Sequence, residues 1–301
     1  MTSLSVRAYA KINLSLDVFD KRADGFHSLA SVMQTISLHD TIVLTPNTGP
    51  DITITCDGDH AEGVPTDSTN LVVRAARALL DAAHHDGGLV IRLNKRVPSQ
   101  AGLGGGSSDA AATLLGTASV LGIDVGPKLL HSLAASLGSD VPFFLTGGTA
   151  VVRGRGENIK PIVDCPPLWL TIVKPPLSVS TAWAFAALDA TFERRSNRGT
   201  VTLEAAIKES DARKVVACQS NDFEVPVFHA HPGLSWLRDE LRMAGALASH
   251  LCGSGSAVYG VARDEAHAIK MTSLVKSSYP YTYLAKTVSS IEANPLRESE
   301  T

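Results

Sequence analysis

The sequence predicts an α+β protein of two domains, and three observations carry that reading. With 301 residues the chain suits one large or two ordinary domains and is long enough to bury a substantial core. Its first half mixes stretches that alternate apolar and polar residues with stretches whose apolar residues recur every three or four positions. A proline-edged apolar stretch, PIVDCPPLWLTIVKPP at 161–176, then separates that half from a second with helices and strands of its own, an α+β sandwich.

The elements follow in order. Residues 4–18 alternate, with Ala8, Ala10, Ile12, Leu14 and Leu16 on one face and Tyr9, Lys11, Asn13 and Ser15 on the other, which predicts a strand with a polar face. Short β runs follow near 41–45, 51–56 and 89–93. Leu71, Val72, Ala75, Leu79, Leu80 and Ala83 form the apolar stripe of a helix that Gly87 and Gly88 are expected to end. VPSQAGLGGGSSDAAATL, residues 97–114, leads into a helix closed by Gly122, with Ser107, Ser108 and Asp109 as candidate N-caps, and a further helix over 127–137 stops at Gly138. Beyond 176 the pattern predicts helices near 180–190, 201–217 and 234–250, strands near 256–262 and 280–286, and a frayed polar tail at 296–301.

Composition narrows the function classes. Hydrophobic residues make up 44% and charged residues 19%, with a net charge of -3, so the chain is neither disordered in character nor endowed with the basic surface of a nucleic-acid binder. A small-molecule partner is favoured. The opening residues lack a basic region followed by an apolar run, and no later segment is long and apolar enough for a bilayer, which predicts a cytoplasmic protein. Cys56, Cys165, Cys218 and Cys252 are widely spaced, and neither His84 and His85 nor His229 and His231 have Cys or carboxylate neighbours at metal-ligand spacing.

The glycine-rich run is the first candidate for chemistry. A glycine turn opening a helix presents backbone N–H groups backed by the helix dipole, suited to phosphate. It is not a Walker loop, since no Lys follows the glycines, and G-x-G-x-x-G fails because Ser107 or Asp109 stands where the third Gly belongs. Lys11 admits two readings: a sheet-surface amine in solvent, or a fixed ammonium near a transferring oxygen. Asp140, in GSDVPFF, is either an N-cap ahead of Pro142 or a base for a substrate hydroxyl. Phe26 and His27 close a turn, as core and surface residues or as a stacking ring beside an edge-reading imidazole. The glycines of LCGSGSAVYG, 251–260, are conformational or line a site.

Together AYAKINLSLDV, VPSQAGLGGGSSDAAATL and LCGSGSAVYG resemble, in order and over nearly the whole chain, the GHMP superfamily of small-molecule kinases. DGFHSLASVMQTISLHD and TNLVVRAA are similar in particular to its branch acting on 4-diphosphocytidyl-2-C-methyl-D-erythritol in the non-mevalonate isoprenoid pathway. The resemblance implies ATP and Mg2+ as cofactors, with Gly102, Leu103, Gly104, Gly105, Gly106, Ser107 and Ser108 wrapping the triphosphate and Asn70 and Lys95 near the nucleotide. It further implies Asp140 as catalytic base, Lys11 as its charged partner and Asn13 as a substrate contact. Phe26 and Phe185 match positions that sandwich the cytosine, His27 the one that reads its edge, and Thr181 a substrate contact. Ser254 and its neighbouring glycines would close the site.

Phe26 stands where Tyr is common, so a hydroxyl is lost and stacking kept. The metal ligands stay open, with Ser107 and Asp140 as candidates. The implied fold is an N-terminal domain like the second domain of ribosomal protein S5, over 1–165, and a ferredoxin-like C-terminal domain, over 166–295, with the site in the cleft between them. A monomer or homodimer is expected, without nucleic acid or membrane. The rival readings are another kinase of the superfamily, acting on homoserine or a mevalonate derivative, and an S5-like RNA-binding module, which the acidic net charge disfavours.

Overall fold

The opening alternation forms β1 (Leu4–Lys21), which turns back through residues 22–26 into the 21-residue β2 (His27–Asn47) in the computed structural model, which describes residues 2–191 and 199–296. The first half continues with β3 (Ile52–Asp57), α1 (Leu71–Ala82), β4 (Gly88–Asn94), α2 (Gly105–Leu121), α3 (Pro127–Leu137), a 3-10 turn (Val141–Leu145), β5 (Thr149–Gly154) and β6 (Asn158–Pro161). After it come β7 (Trp169–Val173), α4 (Thr181–Asp189), α5 (Gly199–Lys208), α6 (Ala212–Ala217), β8 (Ser220–Asn221), α7 (Glu224–Ala230), α8 (Pro232–Met243), β9 (Ala248–Leu251), β10 (Val258–Ala262), α9 (Glu265–Lys276) and β11 (Thr282–Lys286). Of the tail at 296–301, everything past Leu296 lies outside the described residues.

β2 organises the larger sheet. β1 runs antiparallel along one side of it, while on the other side Leu29–Gln34 pairs with β5 and Thr41–Asn47 with β4, so one strand serves two neighbours end to end. β3 extends the sheet beside β4, β6 beside β5, and β8 joins β1 in parallel at Ser15 and Leu16. Only the far end of β2 was expected as a strand. Residues 30–36 are buried on both faces, so apolar and polar side chains do not alternate there, and the register with β1 slips as well, Tyr9 and Lys11 facing His39 and Thr35 while Asn13 and Ser15 face Met33 and Val32.

Several boundaries differ from expectation for local reasons. Helix α1 ends at Ala82, ahead of Gly87 and Gly88, because His84 adopts a left-handed φ of 51°. Gly88 instead starts β4. Helix α2 has no side-chain cap at its start: Gly104, at φ 70°, holds that position, and Ser107, Ser108 and Asp109 lie inside the helix. The helix expected over 201–217 is two, divided where Ser210 turns to φ 53° and Asp211 caps α6 through Arg213 N and Lys214 N. The one expected over 234–250 stops at Met243, and 248–251 is a strand.

The smaller sheet is antiparallel with strand order β11-β7-β10-β9, and α8 and α9 connect its strands in a β-α-β-β-α-β sequence. This is the ferredoxin-like arrangement. Helices α1, α2 and α3 pack on the larger sheet, where Leu79, Leu114 and Leu137 meet Met33 and Val152. A second cluster joins Ile12, Leu14 and Ile36 of the larger sheet to Leu170, Ile172 and Tyr259 of the smaller one and to Leu203 and Ile207 of α5. Burial of each large aliphatic side chain there stabilises the fold by about 1.5–3 kcal/mol.

Candidate active site

From Lys11 to Ser15 the polar face of β1 does not meet solvent. Lys11 is 4% exposed, and its Nζ donates to Asn13 Oδ1 at 2.7 Å and lies 3.7 Å from Asp140 Oδ2. Asn13 in turn donates through Nδ2 to Ser31 Oγ at 2.8 Å, and Ser31 donates to the Ser15 carbonyl at 2.6 Å. The solvent reading of Lys11 is thus excluded, and Asn13 is held from behind by β2. Asp140 precedes the 3-10 turn but makes no capping bond through its side chain, which is 34% exposed and faces the cleft.

The glycine loop docks on both β1 and the second half of the chain. The Lys11 N–H donates to the Leu103 carbonyl at 2.9 Å, and the Ala257 N–H to the Ala101 carbonyl at 3.2 Å. Gly102, at φ 76°, lies so close to the chain at Cys252 that a Cβ there would fall 1.8 Å from its carbonyl oxygen. Gly104 is packed under Lys11 and Phe144, where a Cβ would come within 3.1 and 2.8 Å of side-chain carbons. In α2 the Ser108 N–H bonds the Gly104 carbonyl at 2.9 Å, leaving the N–H groups of Gly105, Gly106 and Ser107 ahead of the first intrahelical bond and at the cleft. This suits anionic oxygen.

Beneath the loop lies a buried ion triad. Lys95 Nζ is 2.5 Å from Asp40 Oδ2 and 2.8 Å from Asp109 Oδ2, and Asp40 Oδ1 also accepts from the N–H groups of Arg96 and Val97 at 2.5 and 2.8 Å. Burial alone would lower the Lys95 ammonium, but Asp109 and Asp40 outweigh it and the net shift is upward. One cation shared by two carboxylates leaves one of them poorly compensated. Burial, with the Asp40 charge adding to it against the pull of Lys95, pushes Asp109 up to about 8. Burial likewise pushes the Cys252 thiol up to about 12, against a smaller pull from Lys11.

At the other end of the cleft are rings. His27 and Phe185 stack with centroids 5.0 Å apart and planes 14° apart, Phe223 meets Phe185 edge-on at 4.9 Å, and Asp189 Oδ1 lies 2.7 Å from His27 Nε2. Phe26 is 57% exposed, with the Arg155 guanidinium 5.2 Å over its ring. Thr181 bonds to Ser254 through their hydroxyls at 2.9 Å, tying the start of α4 to the 251–260 turn.

Lys11, Asn13, Phe26, His27, Lys95, Gly102 through Ser107, Asp140, Thr181, Phe185 and Ser254 all border one cleft of about 880 Å3. Two expected residues stand apart. Asn70 caps α1, accepting from Val72 N at 2.8 Å and donating to the Pro65 carbonyl at 2.6 Å, and Ser108 is buried within α2. Sequence reasoning missed Ser31, Asp40, Arg155 and Asp189. Of these Asp189 had a signal, since it follows Phe185 by four residues on a helix and shares its face.

Among the described residues no group of three or more His, Cys, Asp or Glu is arranged to hold a metal, and no helix is long and apolar enough to cross a membrane. The oxygen donors at the phosphate end, Ser107 and Asp140, fit a hard cation that takes one or two protein ligands and completes its shell with phosphate and water.

Comparison with known proteins agrees with this geometry. The GHMP kinases N terminal domain family matches residues 70–148 and the GHMP kinases C terminal family residues 203–280. The chain is 41% identical, over 87% of its length and 90% of the relative's, to a 4-diphosphocytidyl-2-C-methyl-D-erythritol kinase of Pelotomaculum thermopropionicum. It is 36% identical to that of Geobacter sulfurreducens over 96% of this chain and 100% of the relative. A crystal structure of a 4-(cytidine 5'-diphospho)-2C-methyl-D-erythritol kinase superposes with a TM-score of 0.81 at 32% identity, covering 94% of this chain and 99% of that one. The homoserine kinase of Cytophaga hutchinsonii shares the fold, with a TM-score of 0.75 at 20% identity over 96% of this chain and 95% of that one.

Proposed function

The chain belongs to the GHMP kinases, and from that premise we propose that it transfers the γ-phosphoryl group of ATP to the 2-hydroxyl of 4-diphosphocytidyl-2-C-methyl-D-erythritol. The observation that carries the reading is the Lys11–Asp140 pair, 3.7 Å apart, at the wall of the cleft that also holds the glycine loop and the start of α2.

Phosphoryl transfer asks a protein mainly to position two reactants and to stabilise charge. The N–H groups of Gly105, Gly106 and Ser107 hold phosphate oxygens at the positive end of α2. Asp140 accepts the proton of the attacking hydroxyl, and the Lys11 ammonium stabilises the alkoxide and the charge on the transferring group. Asn13, already fixed by Lys11 and Ser31, orients the acceptor. Ser107 or Asp140 would hold Mg2+, which would supply Lewis-acid neutralisation of phosphate charge. Phe26 and Phe185 flank the cytosine, His27 reads its edge, and Thr181 with Ser254 closes over the acceptor side. Dependence on ATP supports the cytoplasm as the working compartment.

The test is ADP release with ATP and Mg2+, offering the cytidine diphosphate methylerythritol, homoserine and mevalonate phosphates in turn. Turnover with the cytidine substrate alone is expected. Turnover with another acceptor would keep the phosphate loop and base but return Phe26 and Phe185 to packing.

A further inference from the structure

One side chain at the base end of the cleft has no part in the chemistry above. Asp189 is the last residue of α4, four positions beyond Phe185, so helical spacing puts its carboxylate on the face that carries the aromatic wall. Its Oδ1 reaches Nε2 of His27, the first residue of β2, at 2.7 Å. His27 is buried and its ring is stacked on Phe185, so the imidazole is fixed on one side by a carboxylate and on a second by a ring.

We propose that Asp189 is a positioning residue that sets which nucleobase the cleft accepts, selecting cytosine over uracil through His27; the inference rests on the cytidine reading above. An ionised carboxylate only accepts hydrogen bonds, so Nε2 carries the hydrogen and the lone pair of the neutral ring stands on Nδ1. Because the His27 and Phe185 planes differ by 14°, a base stacked on Phe185 in the imidazole's layer lies in the plane of that ring and meets it edge to edge. An acceptor nitrogen at that edge takes an N–H from the exocyclic amino group of cytosine. Uracil carries a carbonyl oxygen at the same position, lone pair against lone pair. Sites that pair a polar group of one ligand reject the analogue that leaves the group unpaired far more strongly than they reject a mere change of size.

Removing Asp189 frees the ring to place its hydrogen on Nδ1, which favours the uracil carbonyl. The amide of Asp189→Asn has the same effect, since its N–H group can donate to Nε2 and drive the hydrogen across the ring.

The experiment measures kcat/KM for the cytidine substrate and its uridine counterpart, and in parallel the calorimetric affinity for cytidine and uridine 5'-diphosphate, with the unaltered chain, Asp189→Ala, Asp189→Asn and Asp189→Glu. The unaltered chain is expected to prefer cytidine by on the order of 100-fold or more. Asp189→Ala and Asp189→Asn should each lower that ratio at least about tenfold, chiefly through KM, with the KM for ATP unchanged, and Asp189→Glu should recover part of it. If Asp189→Ala does not fold, the isosteric Asn variant decides. An unchanged ratio, or equal weakening of both bases, overturns the inference and leaves the kinase reading standing. Absent turnover combined with an Asp189-dependent preference for cytidine diphosphate upholds the inference and sinks the kinase reading.

Discussion

A lysine at 4% exposure in the middle of a strand needs a partner, and Lys11 has a carboxylate that is itself one-third exposed at 34%. The pairing leaves Asp140 open to the cleft and keeps the ammonium beside it. Asp140→Asn should therefore lower kcat by on the order of 100-fold or more while the thermal midpoint stays near that of the unaltered chain. Near-normal turnover of a folded Asn variant would remove Asp140 from the chemistry. At the base end, Phe185→Ala should weaken the cytidine substrate by about 1–3 kcal/mol, the scale of base stacking on aromatic rings, and spare the KM for ATP. Because Phe185 also packs edge-on against Phe223, equal weakening of both ligands would assign it to the support of α4 instead.

Among the elements, the glycine loop is the most constrained. Gly102→Ala would force a left-handed alanine and drive its Cβ into the Cys252 carbonyl, so stability should fall by more than about 1–3 kcal/mol and the KM for ATP should rise. Gly122→Ala is the comparison: it also sits at positive φ, at 64°, but with nothing within 4 Å, so a loss of about 1 kcal/mol with the KM for ATP unchanged is expected. Unfolding and steady-state kinetics on the two variants separate strain from docking. This contrast also marks what was legible in the sequence. The strand of Lys11, the stripe of α1 and the loop ahead of α2 followed from period and glycine density, because each is decided within a dozen residues. The bulges in β1 were not, nor was the burial of its polar face, because Ser31, Asp140 and the turn at 251–260 supply that cover from far along the chain. Helix α9 escaped notice because only Ala268, Met271 and Val275 mark its buried side. Lys11, Asn13, the loop glycines and Ser254 were brought forward by three motifs read together, whereas Asp40 closes a quoted stretch whose chemistry was read only at Phe26 and His27, and Arg155 belongs to none.

Taken whole, the molecule shares one core between its two sheets. Val288 returns to the larger sheet through its N–H to the Thr35 carbonyl at 3.0 Å, and Gln34 Nε2 donates to the Val288 carbonyl at 2.9 Å. His60, after β3, bonds the Tyr283 hydroxyl on β11. Expressed separately, segments 1–165 and 166–295 should each lack a cooperative unfolding transition, since each would expose its side of the cluster around Ile12, Leu170 and Tyr259. A sharp transition in either would refute that. Stability should also vary with pH in a stated direction. Asp109 titrates at about 8 when folded, against 3.8 unperturbed, so between those values the native state holds a proton that the unfolded chain has released. Stability from this group is greatest below about 4 and is lost as pH rises to about 8, whereas the upward shift of Lys95 adds stability that fades only at strongly alkaline pH. Asp109→Asn should flatten the slope of denaturant midpoint against pH in that window, and an unchanged slope would place the proton elsewhere. The pairing of β8 with β1 and the fit of Gly102 against Cys252 have a consequence in time. Lys11 leaves a ribosome well before the strand that joins β1 at Ser15 and Leu16 and the turn that seats the loop, which follow it by more than two hundred residues, going by their positions at 220–221 and 252. A nascent chain that stops short of them carries its ammonium and its glycines without a cleft, so a growing chain spends no nucleotide until that turn has emerged.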